Sequence, residues 1–164
     1  MKKLILMLVV FISTLNTISY GATKKKVASN SNTPQKVAEN FVNGYSIRIR
    51  NGNSDNWVLK NSNITENFRN LYEELVEYRN NFDWDGETMP IEGVPMDGEW
   101  ILTGQDPDTS GGYKAIYYDE DTGYVILKSR NIYSTYVKMV NIDGNWYVDG
   151  AGYVNTYDFP DEYK

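Results

Sequence analysis

Apolar positions repeat along this chain at two periods, first helical and then extended. Val37, Phe41 and Tyr45 recur every four residues with Ala38 and Val42 beside them, a stripe that runs loosely to Ile49 and stops at Asn51-Gly52. Thr33 offers an N-cap hydroxyl, and Pro34 takes the first helical position, where its missing N–H costs nothing. Gly44 is the weak point of that helix. A second helix follows from Ile64, Phe68, Leu71, Leu75, Tyr78 and Phe82, which alternate four- and three-residue steps, with Asn63 as cap and Glu66 three residues on. Trp57, Val58 and Leu59 predict a short helical turn between the two.

From Asp83 to Gly98 the period dissolves into DWDGETMPIEGVPMDG, whose prolines and glycines predict a long irregular connection. GQDPDTSGG (104–112) follows, and then the pattern becomes extended. Tyr113 to Tyr118, Tyr124 to Arg130, Tyr133 to Ile142 and Trp146 to Val154 are rich in Tyr, Val and Ile. Asp121-Thr122-Gly123 and Asp143-Gly144-Asn145 are hairpin joints, so the four segments predict an antiparallel meander. Gly150 and Gly152 mark a place where the last strand bends or something approaches it closely. Helices first and strands afterwards give an α+β fold, with N-terminal helices packed on a curved four-stranded sheet.

The chain ends change this picture by adding an address. MKKLILMLVVFISTLNTISYGA places Lys2 and Lys3 ahead of an apolar run from Leu4 to Leu15, then small residues. This is the layout of a secretory signal peptide over 1–22, cut after Gly21 or Ala22. The run is shorter than the ~20 residues a spanning helix needs, so no stable membrane anchor is expected. Polar residues 23–32 read as a flexible linker, 33–158 as the folded domain and 159–164 as a C-terminal tail.

Charge and composition then remove function classes. The chain has 16 basic and 22 acidic residues, and losing Lys2 and Lys3 with the signal makes it more acidic still, so it repels phosphate backbones and nucleic acid is excluded as a partner. It has no histidine, the commonest general base and zinc ligand. It has no cysteine, hence neither a lipoprotein thiol nor a disulfide framework.

The helix TPQKVAENFVNGY, a second helix, the Gly-Gln-Asp before the sheet and the closing hairpin VNIDGNWYVDGAGYV together resemble the nuclear-transport-factor-2-like superfamily over about residues 33 to 155. The resemblance is greatest to bacterial envelope proteins of a domain family with no assigned function. It implies a cone, in which helices pack into a curved sheet and leave a pocket at the wide end. Phe41 and Tyr45 of the first helix, with Tyr136 and Trp146 of the sheet, would line it. Relatives include steroid isomerases and polyketide cyclases beside proteins that only bind, so the fold does not choose between enzyme and binder.

Three candidate chemistries stand beside blander readings. Asp106-Pro107-Asp108-Thr109-Ser110-Gly111 follows the opening of a calcium loop, but the twelfth position, which should hold the closing Glu, is Tyr117. The turn reading is stronger: Asp side chains bond their own backbone two residues on, while Gln105 and Asp106 tie the connection to the sheet. An Asp base (Asp106 or Asp83) with a Tyr donor (Tyr45 or Tyr136) would suffice to move a proton beside a carbonyl. The 14 tyrosines could form a platform for sugars or peptide, with Tyr118, Tyr147 and Tyr153 as its members, although tyrosine is also an ordinary strand residue.

The sequence therefore predicts an exported, soluble, non-catalytic binding protein of the bacterial envelope, using no cofactor and no metal. Its partner is a small molecule or an envelope protein, and its binding residues are Phe41, Tyr45, Gln105, Asp106, Tyr136 and Trp146. The alternatives are a small isomerase- or cyclase-like enzyme and an inhibitor or immunity-type protein acting on an envelope enzyme.

Overall fold

The computed structural model describes residues 32–81, 93–95, 99–103, 107–130 and 133–160. The signal peptide, nearly all of the linker, and Phe82, Asp83, Gln105 and Asp106 lie outside the described residues. Three helices precede four strands: α1 Pro34–Ile49, α2 Ser54–Leu59, α3 Glu66–Asn81, β1 Lys114–Tyr118, β2 Tyr124–Lys128, β3 Ser134–Ile142 and β4 Asn145–Ala151. The strands pair antiparallel in the order β1-β2-β3-β4, so the chain is α+β with the meander that the alternation predicts. No helix among the described residues is long and apolar enough to cross a membrane.

The first helix begins where its sequence signals put it. Thr33 Oγ1 accepts the Lys36 N–H at 3.2 Å, with Pro34 inside the first turn. Its predicted stripe of Val37, Ala38, Phe41, Val42 and Tyr45 is buried. Gly44 leaves room for a neighbour: a Cβ there would stand 2.6 Å from the Trp57 indole, which α2 lays against α1. The Arg48 guanidinium sits 4.7 Å from the centre of that indole, and the Phe41 ring 5.5 Å from it.

The start of α3 corrects the expected cap. Thr65, not Asn63, caps it, with Oγ1 accepting the Phe68 N–H at 3.1 Å. Asn63 is occupied elsewhere. Its carbonyl accepts the Val148 N–H at 2.9 Å, and the Thr65 N–H donates to the Val148 carbonyl at 2.9 Å, so residues 63–65 run as a parallel bridge along β4. Thr65 Oγ1 also donates to Asp149 Oδ1 at 2.7 Å, tying the head of α3 to the bulge in β4.

Side chains of α1 close the other edge of the sheet. The Asn43 amide clasps Tyr113 from both sides, accepting its N–H at 2.8 Å and donating to its carbonyl at 2.9 Å. Glu39 Oε1 accepts the Ala115 N–H at 3.0 Å. Both edges of the sheet are thus occupied, by main chain at β4 and by α1 side chains at β1, which blunts pairing with a second chain.

One face of the sheet carries Val125, Leu127, Val137, Met139 and Val148, which join α1, Phe68, Tyr72, Leu75, Trp100, Ile101 and Leu102 in the main core. Alternation sends Tyr124 and Tyr136 to the opposite face. There the C-terminal segment returns over them: Phe159 stacks on Tyr136 at 3.8 Å and meets Tyr124 edge-on at 4.9 Å. Phe159, assigned from sequence to the tail, is 3% exposed. The turn that makes this possible needs Gly150 and Gly152, as expected: side chains there would strike the Asn155 carbonyl and the Trp100 and Ile101 carbonyls, and Gly152 has φ +57°.

The sheet also coils. In sheet order β1 and β4 are three spacings apart, ~14 Å if flat, yet the Tyr118 and Trp146 rings stand 6.1 Å apart at 84°. α1 lies against all four strands, and α3 reaches the sheet only at β4.

Candidate functional site

The proposed binding residues divide into three places. Phe41 and Tyr45 share the main core, where Phe41 meets Phe68 edge-on at 6.0 Å. Tyr136 belongs to the opposite face, under Phe159, so the sheet separates it from Phe41 and Tyr45. Trp146 packs against the margin of the core and opens into a cleft. Gln105 and Asp106 lie outside the described residues.

Tyr45 is part of a part-buried polar chain that periodicity alone does not reveal. Its hydroxyl donates to Glu99 Oε2 at 2.6 Å, and the Tyr72 hydroxyl donates to Asp55 Oδ1 at 2.9 Å. The two phenols are close enough to perturb each other. Arg79 pairs with Asp55 and lies 4.9 Å from the centre of the Trp100 ring. Burial first, then neighbouring groups that include Glu99 and Asp55, push both phenols well above their ordinary range. They are therefore neutral hydrogen-bond donors across physiological pH. The chain joins α1, α2, α3 and the segment around residue 99.

A second polar cluster sits on the opposite face. Asp158 accepts from Tyr124 at 2.6 Å and pairs with Lys138 at 2.6 Å. Burial raises the Asp158 carboxyl, but Lys138 and Tyr124 outweigh it and hold the group below its usual value. Its geometry fastens the returning C-terminal segment to the sheet.

The loop behind GQDPDTSGG is a turn in its described part. Asp108 Oδ1 accepts the Ser110 N–H at 2.9 Å and also the Ser110 hydroxyl, the self-bonding expected of an Asx turn. Asp108 is buried, and Gly111 packs near Asn43, Ser46 and Ile47 of α1. Among the described residues no three Asp or Glu side chains stand close enough to hold a metal ion.

The cleft is built where the coiled sheet brings its ends together. Thr33, Pro34 and Gln35 of the head of α1 form one wall, and Tyr118, Glu120 and Trp146 form the other, around about 400 Å³ of space. Tyr118 and Trp146 meet at right angles, which makes a corner rather than a flat platform. The Tyr118 hydroxyl is raised by burial, then by the charges of Glu120 and Asp119. Asp119 accepts the Asp121 N–H at 3.0 Å and the Thr122 N–H at 3.3 Å, so it holds the hairpin that presents Glu120. The three candidate tyrosines do not form one platform: Tyr147 lies on the other face from Trp146, and Tyr153 packs against the core.

Compared with models of known protein families, with curated proteins and with solved structures, the chain matches none.

Proposed function

We propose that this is an exported, non-catalytic binding protein of the bacterial envelope, and that its ligand site is the cleft beneath Trp146. The observation that carries this reading is the aromatic corner of Tyr118 and Trp146 over about 400 Å³, with Glu120, Gln35 and Thr33 supplying polar groups at its rim. Binding sites of small molecules have this composition, an apolar lining with a few placed polar side chains. The coiling of the sheet around α1 supports a nuclear-transport-factor-2-like cone. In this version Phe41 and Tyr45 fill the interior, and the ligand is met at the margin of the core.

The isomerase- or cyclase-like alternative draws on Tyr45 and Tyr72, whose hydroxyls rest on carboxylates. A general acid must reach the proton it moves on a substrate. Tyr45 and Tyr72 are 2% and 0% exposed, and their hydroxyl protons are spent on Glu99 and Asp55. Their arrangement suits a structural tie between helices.

The test is a small-molecule screen by thermal shift, run on the protein and on its Trp146→Ala variant, with the mature N-terminus read by mass spectrometry from an envelope preparation. Ligands that raise the melting temperature of the protein and not of the variant are expected. Stabilising ligands that act equally on both would place the site elsewhere, and an intact N-terminus would remove export.

A further inference from the structure

We infer that the cleft takes an organic cation, an alkylated ammonium group seated in the corner between Trp146 and Tyr118 and facing Glu120. This rests on the reading of the cleft as the ligand site. Three observations select the class.

The first is shape. The two rings stand at 84° with centroids 6.1 Å apart, so they present two walls to a rounded group. A sugar ring needs a flat aromatic face, and a second ring at right angles contributes little to that stacking. A tetrahedral ammonium fits a corner, and the faces of Trp and Tyr attract it through their quadrupoles.

The second is charge. Glu120 lines the cleft, and Asp119 and Asp121 flank it in the same hairpin. The Tyr118 hydroxyl feels both Glu120 and Asp119, which puts their negative potential inside the corner. The whole chain adds to it, with a formal charge of −6.

The third is the opposing positive charge, which is small among the described residues. The head of α1 carries the equivalent of roughly half a positive charge. Pro34 has no N–H, and Thr33 already caps the Lys36 N–H. Lys36 itself is paired with Glu39 at 3.3 Å. An anion would therefore meet the Glu120 carboxylate with little to compensate it, whereas a cation meets the carboxylate and two rings.

The test uses choline and its uncharged isostere 3,3-dimethyl-1-butanol at equal ionic strength. Binding is followed by the Trp146 indole N–H resonance, assigned with Trp146→Phe. Choline is expected to shift that resonance saturably in the millimolar range, with the isostere at least about tenfold weaker. Glu120→Gln, an exposed change that spares the fold, is expected to weaken choline about fivefold and to leave the isostere unchanged. Equal binding of choline and the isostere would overturn the cationic class and leave the cleft standing as an apolar site. No shift at Trp146 with either compound would overturn this inference and remove the cleft as a site for small organic groups of this size.

Discussion

Tyr45 stands on the core stripe of α1, and spacing alone marks it only as a buried residue. The structure adds a second duty, since its hydroxyl donates to Glu99 and touches that of Tyr72, which donates to Asp55. Removing the Tyr45 hydroxyl leaves the part-buried Glu99 carboxylate short of a donor, and such losses cost about 1–3 kcal/mol. Tyr45→Phe is accordingly expected to lower the stability measured by urea unfolding by about that amount, with the slope of the transition unchanged. An unchanged midpoint would mean that Glu99 finds another donor. This network was not legible in the sequence, because Asp55, Tyr72 and Glu99 belong to three different segments and the pattern that buries a tyrosine says nothing about where its hydroxyl goes.

Elements were more legible than their joints. The helical period and the Thr33-Pro34 signal placed α1, and the hairpin pairs placed the meander. The head of α3 differed, because Asn63 and Thr65 are both good caps and only the pairing of Asn63 with Val148 decides between them. The closure of the β1 edge was likewise hidden, since Asn43 and Glu39 look like ordinary polar positions on an amphipathic helix. Asn43 supplies both a donor and an acceptor to Tyr113, so Asn43→Ala leaves two main-chain groups unpaired beside a buried residue. A loss of about 2 kcal/mol is expected in urea unfolding, together with faster amide exchange at Tyr113 than elsewhere in the sheet.

Glu39 gives the same α1–β1 joint an acid sensitivity. Burial pushes its carboxyl up, but the Ala115 N–H, Lys36 and Lys114 outweigh this and hold it below its ordinary value. A carboxyl with a lowered folded pKa contributes stability that is full above the unfolded value of about 4.5 and is lost as pH falls through the folded one. Glu39→Gln keeps an acceptor for Ala115 and loses the two ion pairs. Because both lysines are largely exposed, the expected cost at neutral pH is only about 0.5 kcal/mol. The difference between the two proteins should shrink below about pH 4 in a pH series of melting temperatures.

At the scale of the whole molecule, the sequence identified Trp146 as a candidate and the structure gave it different company. Alternation tells which face a residue takes, so it placed Trp146 and Val148 together, but it does not tell how far a sheet coils. Coiling brings Tyr118, on the opposite edge strand, to within 6.1 Å of Trp146, and with it Glu120 and the head of α1. Tyr136 was grouped with Phe41 and Tyr45 by analogy with a cone, whereas register sends it to the other face beneath Phe159.

Ligand is expected to be met at the cleft and not inside the core. An NMR titration of the protein with a set of small cationic and neutral organic compounds, read at the tryptophan indole N–H resonances, distinguishes the two places. Saturable shifts are expected at Trp146, with Trp57 and Trp100, which pack in the core with Phe41 and Tyr72, left in place. Shifts centred on Trp57 and Trp100, with Trp146 unmoved, would contradict it and make the interior lined by Phe41 and Tyr45 the binding site.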